Sequence, residues 1–389
     1  MSFHESCVLG VGFGQPLLEA QSETVPMREK WRKKRMRKLR RRRRKLRARS
    51  NLLLLLTPKD SAAKRQKSNL GSALRKPPGP DYEKGVRYWD NIDATVNGVL
   101  GGFGNGPVPH VEQLSSRLLL LSLLPQLHTF PSPLTPLPPP PAPHRRTALD
   151  VGAGIGRVTR HVLLPLFDDV VLLEPVAKFV SEAHRAAAAG EWRDLPRAGK
   201  QPETEEGTEQ WKEGQRRVEE SQAGRGKRVW FVRGGLQGFD PRLPVKAGDD
   251  LGVVGDAKVG EGSELGDADA SVVYDTIWCQ WCLGHMTHAD LVTFLRRSRA
   301  ALRGSSGDAS MSDASDGGYD SLIFVKENVC EDGPDGKAVE FLDEEDSSLT
   351  RSNGKWLEVF NEAGLEVVKE EVQEGMLDEL FMVKTWALR

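Results

Sequence analysis

Residues 148–160 read ALDVGAGIGRVTR. The apolar run that closes at Asp150 predicts a strand, and the residues after the glycines predict a helix. Between them lie Gly152, Gly154 and Gly156, which predict a tight turn. Because glycine has no Cβ atom, the backbone amides of such a turn can approach a ligand beside the N-terminus of the following helix. The stretch therefore predicts a ligand pocket at the end of a strand.

A second apolar run, 170–173, ends in Glu174. We expect its carboxylate at the carboxyl edge of a parallel sheet, where it can accept hydrogen bonds from both hydroxyls of a ribose. Nicotinamide-binding folds use the same strand, turn and acidic residue, but they space the glycines Gly-x-Gly-x-x-Gly. The spacing here is Gly-x-Gly-x-Gly, which favours S-adenosylmethionine because no pyrophosphate has to be seated. We expect a methyltransferase, with a nicotinamide fold and a ligand-free structural turn as alternatives.

Apolar runs and helical patterns alternate along the rest of the chain. Such alternation is typical of a doubly wound α/β sheet, whose ligands bind at the carboxyl edge of the strands. Helical patterns are clearest over 289–302 and 355–363, and Gly364 ends the second. The further strand candidates are 229–233, 275–279, 321–326, 365–372 and 380–387. With the two strands above, the sequence predicts a seven-stranded Rossmann-like sheet.

The net charge of zero hides two parts of opposite charge. Residues 27–50 hold 16 of the 55 basic residues and one acidic residue, so the rest of the chain holds 39 basic and 54 acidic residues. No periodic apolar pattern precedes the run KPPGP at 76–80, so we expect a disordered basic arm over 1–80 and a folded domain over 81–389. Four segments of the domain are proline-rich or poor in large apolar residues, and we expect them to be surface insertions. They are 130–143, 193–227, 241–270 and 304–318.

Four cysteines and no apolar signal segment at the start indicate a reducing compartment. We expect a cytoplasmic and nuclear protein without disulfides. Cys279 and Cys282 have a zinc-like spacing, but no second pair completes four ligands, so we expect packing and no metal. The apolar runs 52–56 and 118–124 are too short to span a membrane.

Polar residues after the predicted strands are candidates for cofactor binding. Arg157 follows the glycine turn and can bind the carboxylate of S-adenosylmethionine with two hydrogen bonds, although a solvated arginine is the alternative. Leu236 and Gln237 follow the third strand, where an adenine would lie, and Gln237 can bind the edge of that adenine. The alternative for Gln237 is an ordinary loop glutamine. Gln280 ends the fourth strand, where methyl donor and acceptor would meet.

Aromatic, basic and acidic residues are candidates for the acceptor side. Trp89 and Trp281 are possible walls for a sulfonium or an amine, with core packing as the alternative. His285, whose unperturbed pKa is about 6.5, can accept a proton at neutral pH or be structural. Asn328 ends the fifth strand and faces the substrate. The segment 341–348, FLDEEDSS, would bind a cationic substrate if it lay over the pocket, and is otherwise a solvated loop.

Several segments in one order resemble the eukaryotic protein N-terminal methyltransferases, which methylate the α-amine of proteins that expose Xaa-Pro-Lys. The segments are YWDNIDATVNGVLGGFG (88–104), ALDVGAGIGRVT (148–159), LLPLF (163–167), IWCQWCLGH (277–285), LDEEDSS (342–348) and the terminal ALR. The resemblance covers most of 82–389. It implies the class I S-adenosylmethionine-dependent methyltransferase fold and an enzyme of the EC 2.1.1 class that acts on protein N-termini.

The resemblance also implies roles for individual residues. The residues that match the family's cofactor contacts are Gly152, Arg157, Glu174, Leu236, Gln237 and Gln280. Those that match the peptide channel are Trp89, Leu100, Trp281, His285, Asn328, Asp343, Asp346 and Ser348. Among the latter, Asp346 and His285 match the proposed proton acceptors.

The basic segment 27–50 resembles nearly the whole of the very small arginine-rich protein of the large ribosomal subunit. Its 16 cations can neutralise phosphates, so RNA or the ribosome is an expected partner. A nuclear-import signal and a fused upstream gene are the alternatives. Two rival functions stay open for the whole chain: an RNA-binding ribosomal component with a methyltransferase-like body, and a methyltransferase of a small-molecule amine.

Overall fold

A computed structural model describes residues 79–128, 145–195, 226–246, 248–255, 271–304, 321–333, 335–377 and 380–389. The predicted arm up to residue 78, with the basic segment 27–50, lies outside the described residues. The predicted insertion 130–143 and most of the other three insertions lie outside them as well.

The described residues form one mixed sheet of ten strands. Their order is β4-β3-β2-β1-β5-β6-β10-β9, with β8 paired to β6 and β7 paired to β8. The strands are β1 Thr147–Val151, β2 Asp169–Glu174, β3 Arg228–Arg233, β4 Asp249–Gly255, β5 Thr276–Gln280, β6 Leu322–Cys330, β7 Glu340–Asp343, β8 Ser348–Ser352, β9 Val367–Val372 and β10 Met382–Leu388. The seven predicted strands are all present, but the predicted count of seven is wrong.

The three additional strands lack an apolar signature. Strand β4 lies inside the predicted insertion 241–270 and pairs antiparallel with β3, with Val229 opposite Val254. It forms because the edge of β3 offers unpaired backbone groups, and the indole of Trp230 also donates to Asp250 at 2.7 Å. Strands β7 and β8 form an antiparallel hairpin in the acidic segment predicted as a loop.

The centre of the sheet is parallel and buried on both faces. Strand β1 lies between β2 and β5, and all three run in the same direction. Alternate residues of β1 and β2 belong to two separate cores: Leu149 and Leu173 pack on one face, Ala148 and Leu172 on the other. The carboxyl ends of the parallel strands meet at one edge of the sheet. The strands that follow β1 add first on one side of it and then on the other, and ligands bind at such a point in sheets of this kind.

Helices cover both faces of the sheet. They are α1 Tyr82–Asp90, α2 Val96–Val99, α3 Val108–Leu123, α4 Ala177–Ala188, α5 His288–Ala300 and α6 Asn353–Glu362. Short 3₁₀ turns occur at Pro125–Leu127 and Leu283–His285, and a π-helical turn at Thr159–Leu163. Helices α5 and α6 confirm the two clearest helical patterns. Gly364 ends α6 with φ +77°, a conformation that favours glycine.

Parts of two predicted insertions belong to the folded body. Lys227 is buried and donates to the carbonyl of Leu164, and the carbonyl of Pro241 accepts from the hydroxyl of Tyr274 at 2.8 Å. The sequence predicted surface insertions at these positions because the residues that pack against them are distant along the chain. Of the helices that the structure describes, none combines the length and the apolar character needed to cross a membrane.

Candidate active site

The glycine turn follows β1 directly. Gly152, Gly154 and Gly156 have φ of +62°, +59° and +75°, which L-residues with a side chain rarely adopt. A Cβ at Gly152 would lie 2.3 Å from Cβ of Cys282, and one at Gly156 would lie 2.5 Å from the ring of Trp192. A Cβ at Gly154 would instead meet nothing nearer than Val99 at 3.9 Å. The middle glycine therefore borders open space, whereas the outer two are packed against protein.

The carboxylate of Glu174 ties the glycine turn to the end of β2. One oxygen accepts from the amide of Gly154 at 2.7 Å and the other from the amide of Val176 at 2.8 Å. A carboxylate oxygen has two acceptor sites, so one remains on each oxygen for the hydroxyls of a ribose. Burial, with a smaller contribution from Asp150, raises the pKa of Glu174 to about 7. The turn and this carboxylate fit the nucleoside of S-adenosylmethionine.

Asp150 fixes the helix side of the turn. Its carboxylate accepts from the hydroxyl of Thr159 at 2.5 Å, within the π-helical turn that follows the glycines. Burial raises the pKa of Asp150 to about 7, and the hydrogen bond from Thr159 opposes that rise. Two carboxyls, those of Asp150 and Glu174, thus hold the loop between β1 and the first helical turn.

Arg157 is buried and pairs with a residue that is absent from our predictions. Its guanidinium pairs with the carboxylate of Glu112 on α3, and it lies 5.8 Å from the ring centre of Trp281. The same carboxylate accepts from the side-chain amide of Gln280 at 2.8 Å. The solvated alternative for Arg157 is wrong, because the arginine is 8% exposed. The sequence signal that could have identified Glu112 is that it is the one acidic residue within α3.

Leu236 and Gln237 lie where the sequence placed them. They follow the end of β3, and the register of β3 against β2 puts Arg233 beside Glu174. Leu236 is buried and Gln237 is half-buried. The structure therefore brings these two residues, Glu174 and Gln280 to one edge of the sheet.

Helix α1 packs against the short turn that carries His285. The indole of Trp89 donates to Nε2 of His285 at 3.0 Å. A Cβ at Gly85 would lie 3.2 Å from Nδ1 of His285 and 3.5 Å from the carbonyl of Asp346. Accepting at Nε2 requires a neutral ring whose proton is on Nδ1. The structure thus brings together Trp89, His285 and Asp346, from three separate segments.

The acidic segment forms the tip of the β7–β8 hairpin. Asp346 is buried and accepts from the hydroxyl of Ser348 at 2.7 Å, whereas Asp343 is half-buried and accepts from the amide of Glu345 at 2.9 Å. Ser347 has φ +56°, and its hydroxyl accepts from the amide of Asp81 at 2.7 Å. The hairpin tip is therefore fixed against the start of α1 and is not a freely solvated loop.

The remaining predicted substrate residues lie after α2, on β6 and in the loop after β5. Leu100 is buried after α2, and Asn328 is half-buried on β6, two residues before the end of the strand rather than at it. Trp281 has φ +57°, and its indole nitrogen is buried with no hydrogen-bond partner among the described residues. Its backbone amide donates to the carbonyl of Lys326 at 3.0 Å, which fixes the start of the loop after β5.

Glu327 and Arg351, both absent from our predictions, support the loop that carries His285. Glu327 accepts from the amides of Cys282 and Leu283, each at 2.8 Å, and burial raises its pKa to about 7. The buried guanidinium of Arg351 donates to the carbonyls of Leu283 and Met286, at 3.1 and 2.6 Å. Cys279 and Cys282 are free thiols, and no metal-binding group of three or more ligands occurs among the described residues.

Comparison with known proteins shows the family of this chain. The sequence profile described as AdoMet dependent proline di-methyltransferase matches residues 79–217 and 267–389. The alpha N-terminal protein methyltransferase 1 of Arabidopsis thaliana is 30% identical, over 79% of this chain and 79% of its own. The human N-terminal Xaa-Pro-Lys N-methyltransferase 1 is 28% identical, over 79% of this chain and 95% of its own.

One solved structure and a second sequence profile also match parts of the chain. A SAM-dependent methyltransferase from Leishmania major has 28% sequence identity and a TM-score of 0.48, covering 79% of this chain and 82% of that chain. The profile of ribosomal protein L41 matches residues 27–51, outside the described residues. Since the methyltransferase profile matches more than half of the sequence, the chain belongs to the AdoMet-dependent proline di-methyltransferase family.

Proposed function

We propose that this enzyme methylates the α-amino group of proteins whose exposed N-terminus reads Xaa-Pro-Lys. The observation that carries the proposal is the acidic hairpin tip packed against α1 and His285, beside the cofactor edge of the sheet. Carboxylates in that place attract a cationic peptide end. The name of the Arabidopsis thaliana relative supports methylation of protein N-termini, and the name of the human relative supports the sequence Xaa-Pro-Lys.

We assign the cofactor to the edge formed by β1, β2, β3 and β5. The residues assigned to it are Gly152, Gly154, Gly156, Arg157, Glu174, Leu236, Gln237 and Gln280. S-adenosylmethionine supplies the methyl group on its sulfonium. In this assignment Glu174 binds the ribose with its two unused acceptor sites, and Arg157 binds the carboxylate of the cofactor's amino-acid end.

Selective deprotonation follows from the chemistry of an N-terminus. An α-amine has a pKa of about 7.7 to 8.0 and a lysine side chain about 10.4, so a weak base frees the α-amine at neutral pH. We place Asp346 and His285 as the acceptors of that proton. Because the indole of Trp89 donates to Nε2 of His285, that nitrogen accepts the proton only when the indole moves away.

The other peptide contacts surround these two residues. We assign Asp343 to the ammonium of the substrate lysine, because it is half-buried at the hairpin tip, whereas Asp346 is buried. The assigned walls of the peptide channel are Trp89, Leu100, Trp281, Asn328 and Ser348. A methyltransferase of a small-molecule amine would not need the carboxylates of Asp343 and Asp346 at the hairpin tip.

Intact-mass analysis of peptides tests the assignment. A peptide with N-terminal Ser-Pro-Lys should gain methyl groups, whereas the same peptide acetylated at its N-terminus should gain none. A third peptide with glutamine in place of lysine should react more slowly, because Asp343 then faces no cation. Equal methylation of the acetylated peptide would contradict the α-amine as acceptor.

Variants of the channel test whether His285 and Asp346 accept the proton. We expect His285→Ala to lower kcat, and Trp89→Phe to remove the hydrogen bond to Nε2 while keeping an aromatic wall. If His285 is an acceptor, Trp89→Phe should leave the kcat less impaired than His285→Ala. Because the two acceptors share one task, the effects of His285→Ala and Asp346→Asn should be non-additive. Full activity of both His285→Ala and Asp346→Asn would refute these roles.

The basic segment carries a second proposed function, which its positive charge and its match to the profile of ribosomal protein L41 support. We propose that 27–50 binds RNA or the ribosome, and that the protein occurs in the cytoplasm and the nucleus. Binding should depend steeply on salt, since each neutralised phosphate releases counterions. A chain that begins at Asp81 should lose RNA affinity at low salt but keep its kcat on peptides. Loss of methyl transfer in that shortened chain would show that the arm belongs to the active site.

A further inference from the structure

The carboxylate of Glu112 is buried between α3 and the cofactor edge of the sheet. The residue is fully buried, with 0% exposure. One carboxylate oxygen pairs with the guanidinium of Arg157, and the other accepts from the amide nitrogen of Gln280 at 2.8 Å. A single carboxylate thus joins two of the residues assigned to the cofactor, which come from separate elements.

The orientation of Gln280 depends on this contact. Its amide oxygen accepts from the indole nitrogen of Trp278 at 3.0 Å, and its amide nitrogen donates to Glu112. With both ends of the amide engaged, one orientation of the side chain is selected. Without the carboxylate, the amide nitrogen loses that acceptor and the side chain can rotate.

A second cation fixes the position of α3 beside the pocket. Lys326 is buried on β6 and donates to the carbonyl of Glu112 at 3.2 Å and to the hydroxyl of Ser116 at 3.0 Å. Burial and the neighbouring charge of Arg157 lower the pKa of Lys326 to about 7. Glu112 therefore contacts two basic residues, Lys326 through its backbone carbonyl and Arg157 through its carboxylate.

We propose that Glu112 is a positioning residue that sets cofactor affinity by holding Arg157 and Gln280 in their binding geometry. A long side chain that is already ordered loses less entropy when it binds a ligand, so a held arginine binds the cofactor's carboxylate more tightly than a free one. Helix α3 thereby contributes to the cofactor pocket through Glu112. The proposal rests on the cofactor contacts assigned above to Arg157 and Gln280.

The variant Glu112→Gln tests the proposal, and Asp169→Asn is its matched control. Both variants change a buried carboxylate to an amide beside cations. Asp169 holds Arg145 and Arg228 at the start of β2, at the opposite edge of the sheet from Glu174. Both variants should lower the melting temperature. A purely structural role of Glu112 predicts that they also have the same small effect on cofactor affinity.

The readout is the Kd of S-adenosylhomocysteine by calorimetric titration of the full chain. We expect Glu112→Gln to raise this Kd by about tenfold or more, as for the loss of one hydrogen bond to a charged group. The KM for S-adenosylmethionine should rise with it, whereas the KM for the peptide should stay the same. Asp169→Asn should leave the Kd and both KM values unchanged. A Kd for Glu112→Gln equal to that of Asp169→Asn overturns the proposal.

A double variant separates this proposal from the assignment on which it rests. If Glu112 acts through Arg157, its effect on the Kd should shrink when Arg157 is already Met, so the two effects are non-additive. Fully additive effects overturn the proposal. If Arg157→Met alone leaves the Kd unchanged, the cofactor contact of Arg157 is wrong instead.

The conservative variant Glu112→Asp covers the case in which Glu112→Gln fails to fold. It keeps the negative charge but is one methylene shorter, so it cannot reach Arg157 and Gln280 with the same geometry. We expect a Kd between those of the wild type and Glu112→Gln. A wild-type Kd in the aspartate variant would also overturn the proposal.

Discussion

Replacing Glu174 by glutamine should weaken cofactor binding far more than the similar shape of the two side chains suggests. The two carboxylate oxygens of Glu174 accept from the backbone amides of Gly154 and Val176, at 2.7 and 2.8 Å. Glutamine has one oxygen and one NH₂ group, so it can accept from one of these amides and must face the other with a donor. One buried N–H is then left without an acceptor.

The substitution should change both the free energy of unfolding and the affinity for the cofactor. An unsatisfied buried donor costs about 1–3 kcal/mol in the free energy of unfolding. The stabilisation lost on the cofactor side, where a charged acceptor for a ribose hydroxyl disappears, is about 1.5–3 kcal/mol, or about a 10- to 150-fold rise in Kd. The destabilisation of the fold should fall at the low end, because burial already penalises the ionised form of Glu174 and raises its pKa to about 7.

The raised pKa also predicts how affinity depends on pH. Ribose binding needs the ionised carboxylate, so the affinity of the wild type should fall as pH drops below about 7. At one unit below the pKa, the ionised fraction is about a tenth, which predicts about a tenfold loss. Glu174→Gln has no such carboxyl and should lose this part of the pH dependence. Asp150, whose pKa is also about 7, is present in both proteins, so the difference between them reports Glu174 together with its interaction with Asp150.

The assay is calorimetric titration with S-adenosylhomocysteine at about pH 6, 7 and 8, on protein whose folding is verified by circular dichroism. Glu182→Gln is the matched control, because Glu182 is a carboxylate on α4 that pairs with Arg185 at the surface. We expect wild-type affinity in that control. A Kd for Glu174→Gln within twofold of the wild type, or the same pH dependence in both, would refute the role of Glu174.

Three further predictions concern the turn, the hairpin and stability. Gly154→Trp should fold but show no heat on titration with the cofactor, because a side chain there fills the open space at a strain of about 1–2 kcal/mol. Asp343→Asn should mainly raise the KM for a Pro-Lys peptide and Asp346→Asn should mainly lower kcat in steady-state kinetics, and identical profiles would contradict the assigned roles. The folded pKa of Asp150 is about 7, above its ordinary value of 3.8, so the stability it contributes is full below the ordinary value and is lost as pH rises through about 7. Thermal melts of Asp150→Asn without cofactor should therefore decline less between about pH 5 and 8 than those of the wild type, and an equal decline would refute the linkage.

Local sequence patterns predicted the centre of the fold. The apolar run of β1, the glycine turn and the position of Glu174 are confirmed, because each depends on residues within a few positions of one another. Gly364 likewise ends α6 through its own backbone conformation. Strand β4 was missed because its sequence, DDLGVVG, has two glycines and only one residue that becomes buried, so it is a strand only when β3 offers it an edge.

The sequence by itself determined the parallel sheet, its glycine turn and the acidic residue at the next strand, since burial and backbone geometry act locally there. Only the tertiary structure decided what faces that edge. Glu112 meets Arg157 and Gln280 from 45 and 168 residues away, and no local pattern encodes such pairing. The acidic hairpin tip is fixed by the start of α1, 266 residues apart, where Ser347 accepts from the amide of Asp81. Buried charges need partners, and folding selects those partners from distant parts of the chain.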